Sequence, residues 1–200
     1  MLTSHLHAEP TPAPNIEFFS YKVRHHARVF QELRAKKFRS FQMILERGDE
    51  PLLVAAALDE EFDFTESDAT EFYEDLVLVA KDFMRISGAQ EIGIKLESLT
   101  TDACALFHTD QVQMRLITTF FGSATEWLRN EDANRGGLFK QNNSLVHKAG
   151  RPIQRMETGD VAIMKGDRCP GFEGGGLIHR SPSIQSANGW RLILRMDKLI

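Results

Sequence analysis

The chain brings together a small set of residue types suited to holding a metal ion. Phe107-His108-Thr109-Asp110 places an imidazole and a carboxylate two residues apart. In extended backbone, residues i and i+2 point to the same side, so both can reach one ion. A second imidazole, His179, follows the glycine cluster Gly174–Gly176. Two imidazoles and one carboxylate bind a divalent ion on one face and leave positions open for a co-substrate and O₂, the donor pattern of non-haem iron(II) centres. Downstream, Arg191 and Arg195 share a face of an expected strand. A guanidinium is the natural bidentate partner of a carboxylate. Cys104 precedes His108 by four residues, nominally on the same side. A thiolate ligand would favour zinc.

The order of these features resembles the iron(II)/2-oxoglutarate oxygenases. His-x-Asp is followed by the Gly159-Asp160-Val-Ala-Ile-Met-Lys-Gly166 turn and strand, then His179, then Arg191, and the resemblance covers roughly residues 90–197. It implies a double-stranded β-helix, or jelly roll, with His108, Asp110 and His179 as iron(II) ligands. It also implies Arg191 as holder of the far carboxylate of 2-oxoglutarate, with Arg195 second, and hydroxylation of an unnamed substrate. Many members carry Arg-x-Ser or Arg-x-Thr at the anchor; this chain has Arg191-Leu-Ile and Arg195-Met-Asp, which leaves the co-substrate open. A longer match is to an uncharacterised bacterial domain family, through Cys104-x-x-x-His108-x-Asp110, Arg115-Leu116, Gly122-Ser-Ala-Thr-Glu-Trp-Leu128 and His179-Arg-Ser-Pro182. The alternative function is a zinc-binding or non-catalytic jelly-roll protein of metal homeostasis that uses the same three residues with Cys104. A third reading has the His and Arg residues only fastening a barrel core.

Other residues take secondary places. Arg115 is a second anion contact or a barrel ion pair. Arg180, beside the distal His, and Trp127 are rim candidates, and His147 is a substrate-side candidate after the polar loop Arg129–Ser144. Against an anchoring role, Arg191 could pair with an acid such as Glu126. No catalytic group beyond the metal ligands is expected.

The elements that must position these residues divide into three stretches. Residues 1–15, with Pro10, Pro12 and Pro14, read as a disordered leader carrying His5 and His7. Residues 16–88 read as helical. Val29, Phe30, Leu33, Phe38, Phe41, Ile44 and Leu45 recur at helical spacing between Tyr21 and Arg47, and Gly48 suits a C-cap. His25 and His26 read as an exposed helix pair. Residues 49–80 contain no Lys or Arg, so they complement the preceding basic stretch. A second helix, capped by Thr65 or Ser67, runs to about Ser87 with Phe72, Leu76, Val79, Phe83 and Ile86 as its apolar stripe.

In residues 89–200 the period changes to two. Glu91–Glu97 alternates, and further strands are expected at Ala103–His108, Gln113–Phe121, Ala124–Leu128, Ile153–Met156, Asp160–Lys165, Gly176–His179 and Trp190–Met196. The fold class is α+β, with N-terminal helices packed on a cupin-like jelly roll.

Composition excludes several classes. The 200 residues carry a net charge of −4, which does not suit sequence-independent nucleic-acid binding. No apolar run is long enough to span a membrane. Two cysteines make neither a disulfide scaffold nor a four-thiolate zinc site. The N-terminus lacks a basic and an apolar segment, so it is not a secretory signal, and the expected compartment is cytoplasmic. The expected partner is a small-molecule co-substrate.

Overall fold

The computed structural model describes residues 14–48, 66–187 and 189–199. The leader up to residue 13, with His5 and His7, lies outside the described residues, as do residues 49–65 and the proposed cap side chains of Thr65 and Ser67.

Two antiparallel sheets and two main helices form the fold. The larger sheet holds β1 (Ile16–Lys22), β2 (Ser40–Glu46), β3 (Glu91–Leu99), β4 (Met114–Phe121), β7 (Asp160–Lys165) and β9 (Arg191–Lys198) in the order β1-β7-β4-β9-β3-β2. The smaller sheet holds β5 (Glu126–Leu128), β6 (Gln154–Arg155) and β8 (Ile178–Arg180), with β5 central. The helices are α1 (Ala27–Ala35), α2 (Glu66–Ser87) and the short α3 (Asn143–Val146).

Strand alternation divides the interior into two. On β9, Leu192, Leu194 and Met196 are fully buried and join one cluster with Ile92, Ile94 and Leu96 of β3, Val29, Phe30 and Leu33 of α1, and Phe72, Leu76, Val79 and Phe83 of α2. Ile193, on the opposite face of β9, joins Ile117, Ala162 and Met164 in a second cluster with Ala124, Met156 and Leu177 next to the smaller sheet. The larger sheet thus has helices on one face and the small sheet on the other, and strands such as β4, β7 and β9 contribute to both cores. Ile86, expected in the α2 stripe, is instead exposed.

Three expectations are corrected. Residues 16–88 are not simply helical, because Ile16–Lys22 pairs with β7 and Ser40–Glu46 pairs in unbroken register with β3. The apolar residues of Tyr21–Arg47 fit helical spacing, but cross-strand pairing with a sheet edge overrode that local signal, and only Ala27–Ala35 is helix. His26 is not an exposed helix residue: it is buried before α1, and its Nε2 lies 2.9 Å from Asp75 Oδ2. Ala103–His108 is not a strand. Cys104 has a left-handed backbone with φ 54°, and only His108 makes a bridge.

The sign complementarity of the N-terminal half is visible at Arg24. Its Nε donates to Asp75 Oδ1 at 2.9 Å, its Nη2 lies 3.2 Å from Glu74 Oε2, and its Nη1 lies 3.8 Å from Glu71 Oε2.

Candidate metal centre

The backbone alone brings the two histidines together. His108 N donates to His179 O, and His179 N donates to His108 O, both at 3.0 Å. Directly opposed residues of an antiparallel bridge point to the same side, and the ring centroids lie 4.5 Å apart. Glycine makes the approach possible. A Cβ on Gly166 would lie 2.2 Å from Val112 O, and one on Gly176 would lie 2.8 Å from Asp167 N. Any side chain there would push the His108–Asp110 segment away from the segment that leads into His179.

Asp167 fastens the same junction. Its Oδ2 accepts from Thr109 Oγ1 at 2.6 Å and Gln111 Nε2 at 2.8 Å, its Oδ1 accepts from Gly176 N at 3.0 Å, and its own N donates to Asp110 O at 2.8 Å. Arg135 braces the glycine turn from outside, donating to the carbonyls of Gly174, Gly175 and Gly176. Neither residue was singled out from sequence. The available signals were Gly166-Asp167 closing a strand and an arginine in the polar loop Arg129–Ser144.

The side chains are arranged as ligands. His108 Nδ1 lies 2.8 Å from Leu106 O, and His179 Nδ1 lies 3.1 Å from Leu177 O. A carbonyl only accepts, so each Nδ1 carries the proton and each Nε2 presents its lone pair. Asp110 Oδ1 lies 3.9 Å from His108 Nε2, and Asp110 Oδ2 lies 3.4 Å from His179 Nε2. The three ligand atoms fall within 4.8 Å of one another. Adjacent ligands of an ion with bonds near 2.1 Å lie roughly 3 Å apart, so small side-chain adjustments close the set. Asp110 Oδ2 is buried without a hydrogen-bond partner. Burial pushes the His179 pKa down to about 4, so this imidazole is neutral at pH 7 and free to bind a cation.

Arginines surround a cavity of about 390 Å³ that contains His108, Asp110 and His179. Arg115 Nη1 lies 2.8 Å from Asp110 Oδ1, while its Nε and Nη2 grip Asp197 at 2.6 and 2.7 Å. Arg115 is therefore committed to orienting Asp110. Arg195 pairs with Glu97, which also pairs with Lys95. Arg180 and Arg155 both pair with Glu126, and the Arg180 guanidinium lies 4.5 Å from the Phe107 ring centroid. Glu126 is thus not a partner of Arg191.

Arg191 stands apart. It opposes Leu99 on β3 and shares a face with Ile193 and Arg195; Leu99, Ile193 and Arg195 line the cavity, and Arg191 lies behind that lining. Its exposure is 1%, and neither Nε nor Nη2 has a hydrogen-bond partner. Burial pushes its pKa down to about 10, opposed by Cys104.

The remaining candidates fall at the margin. Cys104 lines the cavity but is not one of the three grouped ligands. Trp127 opposes His179 across β5–β8 and packs against the inter-sheet core, with its Nε1 buried and unpartnered. His147 is directed to Arg151 O at 2.7 Å and is not among the cavity residues. No helix among the described residues is long and apolar enough to cross a membrane.

Residues 19–197 match a family model described as "Protein of unknown function (DUF1826)". No curated protein matches the sequence. Among solved structures, the chain is similar to dioxygenase for auxin oxidation 1 from Arabidopsis thaliana, solved with 2-oxoglutarate, at a TM-score of 0.47 and 10% identity over 80% of this chain. The match spans 63% of that protein, less than two thirds of its length. A Pseudomonas putida prolyl-4-hydroxylase gives a TM-score of 0.42 and 10% identity over 92% of this chain and 91% of its own. Vicilin from Corylus avellana gives 0.32 and 11% identity over 59% of this chain and 26% of its own.

Proposed function

We propose that this chain, which belongs to the DUF1826 family of proteins of unknown function, is a non-haem iron(II) oxygenase using 2-oxoglutarate, built on a jelly roll. The donor chemistry fits. Two imidazoles and one carboxylate, with no thiolate among them, suit Fe(II). The unpartnered Asp110 Oδ2 is an acceptor that a cation would satisfy. The observation that carries the choice of co-substrate is Arg191, a buried guanidinium on the same strand face as the cavity-lining Ile193 and Arg195, with two unpartnered nitrogens. A buried cation without a counter-ion is costly, and a dicarboxylate reaching from the metal to Arg191 would relieve that cost.

In such an enzyme the metal supplies O₂ chemistry: one oxygen atom enters a substrate C–H bond, the other enters 2-oxoglutarate, and succinate and CO₂ leave. This chain's residues do the positioning. Leu106 O and Leu177 O fix the two imidazole tautomers, Arg115 fixes the Asp110 carboxylate, and Asp167 fixes the backbone that carries them. Arg191 binds the far carboxylate. Ile117 and Ile193 give the cavity an apolar wall that limits water around the reacting groups.

Anaerobic calorimetry tests this reading. Purified chain is titrated with Fe(II), then with 2-oxoglutarate, and succinate is measured after air is admitted. One-to-one metal binding, followed by metal-dependent 2-oxoglutarate binding, is expected. Metal binding that survives replacement of both histidines, or no 2-oxoglutarate binding to the metal-loaded chain, would sink it.

A further inference from the structure

A second cavity of about 340 Å³ lies away from the metal centre, where the α1–β2 connection meets the ends of β3 and β9. Arg34, Lys37 and Arg39 line it, with Phe38, Ser98, Thr100 and Trp190. No carboxylate lines it. Three other cavities each hold one or more: Glu126 and Glu157 in one of about 650 Å³, Asp197 in one of about 500 Å³, and Glu97 and Asp110 at the metal centre. Among the described residues, Arg34, Lys37 and Arg39 form no ion pair.

The fold holds these donors in place. Arg34 closes the last turn of α1, and its guanidinium lies 5.9 Å from the Trp190 ring centroid. Lys37 takes a left-handed backbone, φ 53°, that ends the helix and turns the chain toward β2. Arg39 is pinned to β3, its carbonyl accepting from Ser98 N at 2.7 Å. Trp190 is buried, and its Nε1 donates to Ser98 Oγ at 2.6 Å, which leaves the Ser98 hydroxyl proton free to donate elsewhere.

We infer that this cavity binds the phosphoryl group of a small molecule. Three cations and two hydroxyls around a concave space, with no acid, recognise a compact multiply charged anion. The concavity and the small number of cations favour a small ligand over a nucleic-acid backbone, which neutralises charge along an extended track. The inference does not depend on the metal centre.

The test is titration of the full-length chain with inorganic phosphate and pyrophosphate, followed by the indole N–H resonances of its two tryptophans. A Trp127→Phe variant assigns the Trp190 signal. Saturable movement of that signal is expected, with pyrophosphate binding more tightly than phosphate. Arg34→Gln/Arg39→Gln should weaken pyrophosphate at least tenfold, while Arg129→Gln, exposed and outside the cavity lining, leaves it unchanged. No saturable shift would overturn the proposal. Equal affinity in the double variant would overturn it too. So would tight binding of a single-stranded oligonucleotide with none of pyrophosphate, which would reassign the surface to nucleic acid.

Discussion

His108 and His179, far apart in sequence, exchange both backbone hydrogen bonds at 3.0 Å and so hold their imidazoles 4.5 Å apart without any help from side chains. The ligand set is therefore organised by main chain, and the two Nδ1–carbonyl contacts then set which nitrogen faces Asp110. A site built this way is formed before metal arrives, so metal binding should stabilise the fold instead of creating it.

Replacing His108, Asp110 or His179 by Ala should lower Fe(II) or Mn(II) affinity by 100-fold or more, on the order of 3 kcal/mol. Adding excess metal should raise the melting temperature of the native chain and leave that of each variant unchanged. Thermal melts with and without metal or chelator check both statements.

Arg191→Met separates co-substrate binding from metal binding. Metal affinity should stay within about twofold, while 2-oxoglutarate affinity falls at least tenfold, equivalent to about 1.4 kcal/mol or more. The chain without ligands should become more stable by about 1–3 kcal/mol, because the substitution removes a buried charge with two unpartnered nitrogens and no ion pair among the described residues. Urea unfolding and anaerobic calorimetry on the same preparation measure the two effects.

Asp167→Ala should loosen the ligands without touching them. It deletes acceptors for Thr109, Gln111 and Gly176, so stability should fall by about 1–3 kcal/mol and metal affinity by about 10-fold. Gly166→Ala should be worse, since its new methyl would meet Val112 O, and a loss of about 2 kcal/mol or more is expected by denaturant melts.

The Asp75 cluster predicts an acid limb in stability. Burial pushes the Asp75 carboxyl up, but the side chain and backbone N–H of Arg24 together with His26 outweigh it and hold the pKa below the ordinary value. A carboxyl whose folded pKa is depressed stabilises the fold fully above its unfolded pKa, and that contribution disappears as pH falls through the folded pKa. Stability should decline below about pH 4. Asp75→Asn should be less stable at pH 6 and show a flatter profile below pH 4 by urea melts across that range.

Most strands after residue 88 are legible, through alternation in Glu91–Glu97 and through short apolar runs bounded by turn residues in β4, β7 and β9, although Ala103–His108 is not a strand. Asp160–Lys165 was found to the residue, and β3, β4 and β9 to within a few residues. The strands before it were not. Residues 40–46 place apolar side chains at spacings that also fit a helix, and only the partner strand β3 resolves the ambiguity.

For the site, the residue types can be read along the chain: an imidazole and a carboxylate two apart, a second imidazole after glycines, and arginines on the following strand. Tertiary structure decided their roles. It took Arg115 for Asp110, Arg195 for Glu97 and Arg180 for Glu126, and left Arg191 without an ion pair among the described residues. It also turned the backbone at Cys104, so that alternation no longer carries its thiol into the ligand group. The physical reason is that spacing along a chain fixes which face a side chain occupies, whereas charge neutralisation acts through space, between residues that only the folded sheets bring within about 3 Å.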